Sequence, residues 1–192
     1  MIPSRSIQLA DQAALRPLVY ASLFAALTAV GAYLFVPIGP VPIVLQNMFV
    51  LLAGLLLGSR WGLASVAVYL LAGLCGLPVF AGGTGGIGRL MGPTGGFLMG
   101  YLPAVFLTGA VAERRPGRMR RDVLAMILGS LVLYACGVPW LKFVTGMPFS
   151  KALAAGMLPF LAGDALKIAA AALIARAARP LMIRQGAREI RP

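Results

Sequence analysis

The chain has no histidine, two cysteines and only five acidic residues among 192. Without imidazole there is neither a His-based acid–base pair nor a His metal ligand. Cys75 and Cys136 lie inside apolar stretches with no metal-ligand spacing. They read as small buried residues, so no metal site and no cofactor is expected. Charge is scarce as well, at 11% of residues against about 25% in an ordinary soluble domain. That is too little to coat a water-facing globule, which argues against a soluble enzyme. No Walker A sequence is present, so the chain does not hydrolyse ATP by that route.

Apolar residues make up 60% of the chain and the mean hydropathy is +0.90. No Asp, Glu, Lys or Arg occurs between Pro17 and Ser59, Trp61 and Gly88, Leu90 and Ala112, or Val123 and Leu141. A membrane-spanning helix needs roughly 20 mostly apolar residues. The pattern predicts an all-α, multi-pass membrane protein: one integral membrane domain over 1–192, with a six-helix core at 18–178 and a basic cytoplasmic tail at 179–192.

The six expected spans are bounded by helix breakers. The first, Leu18 to Val36, meets Pro37-Ile38-Gly39-Pro40-Val41-Pro42, where three prolines stop a helix. The second, Ile43 to Leu57, ends at Gly58-Ser59-Arg60, and the third, Trp61 to Cys75, follows this tight turn. A glycine-rich stretch from Gly76 to Pro93 precedes the fourth span, Thr94 to Ala112. The fifth runs from Val123 to Val144, with Pro139 as an expected kink. A short interfacial helix over Phe149 to Gly156 then leads to the sixth span, which starts near Pro159 and ends by Ala178.

A net charge of +12 would suggest nucleic acid in a soluble protein, but the cations cluster in short segments between apolar ones. That is the signature of cytoplasmic loops and of contact with anionic lipid. The bilayer is therefore the expected partner and nucleic acid is not. With the N-terminus inside, thirteen Lys/Arg fall on the cytoplasmic side, while Arg89, Lys142 and Lys151 fall outside and Lys167 within the membrane. Both termini are expected in the cytoplasm, with the glycine-rich loop between helices 3 and 4 outside. The N-terminus lacks the pattern of a cleaved signal peptide. No internal repeat of the kind built into inverted-repeat carriers is visible.

Four features carry candidate chemistry. Asp164 and Lys167 lie three residues apart in the last span, on one helical face with Phe160 and Ala171. Ionisable groups in mid-span cost about 2.5–3.5 kcal/mol each on insertion scales, so they are read as functional by default. The pair is either a structural ion pair or a site for a small polar head group offering both N–H and C=O. Phe160, one turn earlier, is placed to pack on its ring.

The run Gly82-Gly83-Thr84-Gly85-Gly86-Ile87-Gly88-Arg89 contains a chance G-x-G-x-x-G match without a βαβ setting. It is either a flexible external loop or a lid whose backbone approaches a ligand, with Thr84, Gly85 and Gly86 as candidates. Arg89, its only charge, either grips a ligand carboxylate bidentately or sits in water. Ala21, Ala25 and Ala29 form a small-residue line that suits either internal packing or docking of another membrane protein. Gln46 follows the proline turn and either satisfies a neighbouring helix or reaches a ligand.

Four blocks in order, Val36 to Gln46, Gly73 to Phe80 with its glycine run, Gly92 to Phe97 and Pro159 to Lys167, resemble the BioY family. That family comprises the biotin-binding S components of energy-coupling factor (ECF) vitamin transporters. The resemblance covers about Leu18 to Ala178. It implies a six-helix bundle in the bacterial inner (plasma) membrane that captures biotin near the outer face, and no enzymatic activity. On this resemblance Asp164 and Lys167 match the positions that hold the biotin head group. The glycine-rich segment matches the covering loop, and Ala21, Ala25 and Ala29 match the surface that meets the T component, which in turn works with ATPase subunits. The rival readings are a stand-alone secondary carrier using Asp164 as an ion site, and an integral-membrane enzyme, which the lack of convergent acid–base groups disfavours.

Overall fold

The computed structural model describes residues 5–37, 39–114 and 117–188; Ile38, part of the basic loop and the last four residues of the basic tail lie outside them. The order of elements is α1 (Arg5–Tyr33), β1 (Phe35–Val36), β2 (Ile43–Val44), α2 (Gln46–Leu74), α3 (Gly88–Met91), α4 (Gly95–Glu113), α5 (Met119–Thr145), α6 (Phe149–Gly156) and α7 (Leu158–Arg188). Among the described residues, five helical stretches are long and apolar enough to cross a membrane.

One of these, α2, is two legs rather than one rod. Gly58 breaks it with φ 81° and ψ −175°, a conformation open essentially to glycine alone. A methyl group on Gly62 would lie 3.0 Å from Gly54 Cα, whereas eight residues of straight helix span about 12 Å. Gln46 also bonds Tyr69 at 2.7 Å, although 23 residues separate them. The legs 46–57 and 59–74 therefore run antiparallel, and the chain forms six legs as the turn at Gly58-Ser59-Arg60 implied. The Glu113 carboxylate closes the turn by accepting from the Ser59 backbone N–H at 2.7 Å and from its hydroxyl at 3.0 Å.

Small residues let the helices approach. Gly54 on α2 faces the Val105 carbonyl of α4, leaving no room for a methyl group, and Gly129 on α5 faces Thr108 of α4 just as closely. α4 packs chiefly on α2 and α5, and α1 on α2. The alanine line of α1 belongs to this packing: Ala21 and Ala25 are buried and Ala29 is half-buried. The internal-packing reading fits Ala25 and Ala29, which lie in or against the core.

The boundaries differ from expectation in three places. The proline turn carries a small antiparallel pair, Phe35 opposite Val44 and Val36 opposite Ile43, which the high β propensity of these residues supports. α7 continues past Ala178 to Arg188 through Pro180, so most of the expected tail is helical; its Ala, Arg, Leu and Met content favours that state. α1 likewise starts at Arg5, well before the apolar stretch. The expected interfacial helix is present as α6 with the same bounds.

The proline turn, the glycine-rich loop between α2 and α4 and the start of α7 meet at one pole of the bundle. Gly58, Glu113, Asp122 and Arg179 mark the opposite, basic pole, where Arg179 meets Asp122 through two bonds of 2.5 and 3.0 Å.

Replacing Gly58 by alanine should lower the melting temperature in detergent. A Cβ there meets Glu113 Oε1 at 2.1 Å in a conformation that alanine avoids, which corresponds to a loss of about 1–3 kcal/mol. An unchanged melting curve would contradict the hairpin geometry.

Candidate functional site

A cavity of about 290 Å³ opens at the loop pole, near the lower end of the range for small-molecule sites, roughly 300–1,000 Å³. Its wall is largely apolar, with Phe80, Phe97, Leu98, Leu133 and Phe160 inside and Phe35, Val44 and the proline turn toward the mouth. Polar atoms converge at its inner end from three helices. The start of α2 contributes Gln46 and Asn47, α5 contributes Tyr134, and α7 contributes Asp164 and Lys167.

Asp164 is the hub of that cluster. Its Oδ1 accepts from Asn47 Nδ2 at 2.8 Å and from Lys167 Nζ at 3.0 Å, while Oδ2 accepts from the Tyr134 hydroxyl. The carboxylate is 5% exposed as a residue, and a buried charge persists only when paired and hydrogen-bonded. Asp164 and Lys167 form an ion pair, and both line the cavity. An ammonium carries three donors, so with one given to Asp164, Lys167 keeps others for a ligand acceptor. Asn47 Oδ1 is buried and takes no partner among the described residues.

Gln46 donates to Tyr69 on the other leg of α2 and also lines the cavity. Tyr69 in turn donates to the Val79 carbonyl and anchors the loop that follows.

That loop is pinned at several points. Phe80 is 2% exposed, meets Tyr69 edge-on at 5.7 Å and fills the slot beside Gly73, where an added methyl group would lie 2.2 Å from its ring. Phe80 and Thr84 bridge through their backbones. Gly86 N–H donates to the Gly73 carbonyl at 2.7 Å, and the Tyr33 hydroxyl donates to Pro78 O. The glycines let the chain turn tightly enough to make these contacts.

Of the residues read as candidates, Asp164, Lys167, Gln46, Phe160 and Arg89 share the cavity wall. Thr84, Gly85 and Gly86 stand behind it, and the loop instead presents Ala81 and Gly82 to the cavity. Thr84 and Gly86 serve the loop's internal bonding, while Gly85 packs against the Leu77 carbonyl too closely for any side chain. Sequence reading missed Asn47, Tyr134 and Tyr101, which also lines the cavity. Asn47 carried a signal: it is the only asparagine in the chain and lies inside an apolar stretch. The tyrosines carried none, because an aromatic in a span is ordinarily a core residue.

With this geometry in view, comparison with known proteins is decisive. A model of the BioY family matches residues 5–184. The chain belongs to the BioY family. Its relatives include "Probable biotin transporter BioY" of Pyrococcus horikoshii, 45% identical over 154 residues that cover 80% of this chain and 90% of that one. "Biotin transporter BioY" of Thermotoga maritima is 41% identical over 161 residues, 84% of this chain and 94% of the relative. The fold matches the crystal structure of the S component for biotin from an ECF-type ABC transporter, with a TM-score of 0.83 and 32% identity over 88% of this chain and 93% of the other. The BioY chain described here thus has the S-component fold and is a multi-pass membrane protein.

Gly73→Ala should force Phe80 from its slot and free the loop. Limited proteolysis of the purified protein would then cleave faster within residues 81–91. Cleavage at the wild-type rate would mean that Phe80 is not what pins the loop.

Proposed function

We propose that this chain is the biotin-capturing S component of an ECF transporter. One observation carries the reading: a hydrogen-bonded Asp164–Lys167 pair, embedded in an apolar bundle, lines the cavity that opens at the loop pole. The biotin head group is a cyclic urea with two N–H donors and one C=O acceptor. Lys167 donates to the C=O, and the Asp164 cluster, with its Asn47 and Gln46 amides, supplies acceptors for the N–H groups. Phe160, Phe97 and Phe80 surround the apolar part of the ligand, and the pinned glycine loop covers it.

In this reading the loop pole faces outward and the basic pole faces the cytoplasm. Release inside requires a state in which biotin binds less well. A ligand cannot by itself favour a state that it binds no better, so the change is supplied by the T component and its ATPase subunits. Because Ala21 and Ala25 are buried within the chain, a T component meeting α1 does so through that helix's outward residues.

Calorimetry on the detergent-purified protein should show one biotin bound per chain. Asp164→Asn should weaken binding by about 10- to 100-fold, the scale of a charge-assisted hydrogen bond and its supporting network. Absence of biotin binding by the wild type would refute the proposal, and an unaltered affinity in Asp164→Asn would remove the hub from the site. Topology has its own test: reporters fused to either end should both read as cytoplasmic, since thirteen of seventeen Lys/Arg lie on that side. Opposite readings would overturn the orientation.

A further inference from the structure

The charge pair at the basic pole lies outside the cavity wall, and it joins three elements through one side chain. Arg179 Nη1 donates to Asp122 Oδ2 at 2.5 Å. Nη2 donates to Asp122 Oδ1 at 3.0 Å and to the Leu55 carbonyl at 3.1 Å. The Arg179 and Asp122 side chains are only 16% and 3% exposed. Asp122 sits in the first turn of α5, where the helix dipole also favours a carboxylate. Leu55 lies three residues before the break at Gly58, among the last carbonyls of its leg, which have no partner within their own helix. One guanidinium thus ties α7 to α5 and to the first leg of α2.

Packing holds α7 weakly between this pair and the cavity. From Ile168 to Arg179 every buried or half-buried residue in between is alanine: Ala170, Ala171, Ala172, Ala175 and Ala178. The bulky side chains that could key into a neighbour's grooves, Leu166, Leu173, Ile174 and Leu181, are exposed. Ridges of methyl groups are shallow, and lipid tails are as apolar as the bundle, so turning or sliding of α7 meets little resistance there. Pro180 follows directly and removes the backbone bond to residue 176. Arg179 is therefore the last firm hold on α7 before a weakened turn. It lies fifteen residues from Asp164, about 22 Å along the axis and about 60° around it, so the two share one side of the helix. A displacement of about 1 Å along the 2.8 Å bond from Asn47 takes Asp164 out of hydrogen-bonding range.

We infer that Arg179 and Asp122 are positioning residues for the cavity: their pair sets the depth and rotation of α7, and so the fit of Asp164 between Asn47 and Tyr134. Neither residue touches the ligand. Opening the pair lets α7 shift on its alanine stripe, loosens the Asp164 cluster and weakens ligand binding from the far end of the bundle. Coupling of this kind is reciprocal, so a ligand that bridges Asp164 and its neighbours also tightens the pair at the basic pole. The inference rests on biotin as the ligand and deepens that reading, because it links the state of the basic pole to affinity at the loop pole.

The test measures biotin affinity by calorimetry on the full-length detergent-purified protein. The paired variant Arg179→Met with Asp122→Asn removes the contact without stranding a buried charge. It should bind biotin about 3- to 30-fold more weakly than the wild type, the range of coupling between distant sites. Arg179→Lys keeps the charge but loses the fork that spans Asp122 and the Leu55 carbonyl. It should lose about 2- to 5-fold, and it stands in if the paired variant does not fold. A double-mutant cycle separates positioning from general stability: in an Asp164→Asn background the paired variant should cost less than about 2-fold, because distant sites with no shared effect are additive. Equal losses in both backgrounds would overturn the inference, as would unchanged affinity. A second readout needs no ligand: amide hydrogen exchange over residues 161–168 should quicken in the paired variant while α4 keeps its wild-type rates. Unchanged exchange there would overturn the inference even if the wild type bound no biotin. Absence of wild-type binding alone would defeat the proposed function and leave the exchange result to decide the positioning role.

Discussion

The structure depends on how α7 is held. This helix carries the ion pair of the cavity, yet its buried face between that pair and the basic pole is mostly alanine: Ala171, Ala172 and Ala175. Polar clamps secure it at two levels. At the loop pole Asp164 binds Asn47 of the first α2 leg and Tyr134 of α5. At the basic pole Arg179 binds the Leu55 carbonyl of the same leg and Asp122 of the same α5. The clamps are fifteen residues apart, about 22 Å of helix, and join the same three elements. In lipid, apolar contact gives helices little preference for one another over acyl chains. Buried charge pairs that would be unsatisfied elsewhere therefore set the position of α7.

One of these clamps also lines the cavity. Asp164 cannot be left bare in this setting, and its three donors hold the carboxyl group in place. The partners it orients, Lys167 and Asn47, retain unused capacity toward the cavity. Preorganisation of this kind lowers the ordering cost of binding. The opposing wall follows the same logic with different means: glycines allow the loop to fold back on itself, and Phe80, Tyr69 and Tyr33 then fix it as a shaped surface.

Much of this was legible in the sequence, for identifiable reasons. Charge-free stretches report spans because hydrocarbon excludes charge, and Gly58-Ser59-Arg60 reported a reversal because a glycine and an arginine fit a turn at the interface. The Asp164–Lys167 pair was visible because ionisable residues in a span are costly. The partners were not. Asn47 and Asp164 are 117 residues apart, and Asp122 and Arg179 are 57 apart. Asp122 and Arg179 read as ordinary members of basic loop and tail segments, and only their approach across the bundle shows that they pair. The alanine line was ambiguous for a related reason: spacing reveals that a helix has a flat side but not which neighbour covers it.

Composition and periodicity alone determined that the chain lives in a bilayer, how many legs it has, and which last-helix residues are too expensive to be idle. These are local properties, set by the transfer free energy of each segment. The third dimension decided which amides and hydroxyls surround Asp164, that Thr84 faces Arg89 rather than the cavity, and that Ala21 and Ala25 are interior. Those outcomes depend on the rotation of each helix about its axis and on the path of the loops, which are fixed jointly by close packing and by the need of every buried polar group for a partner.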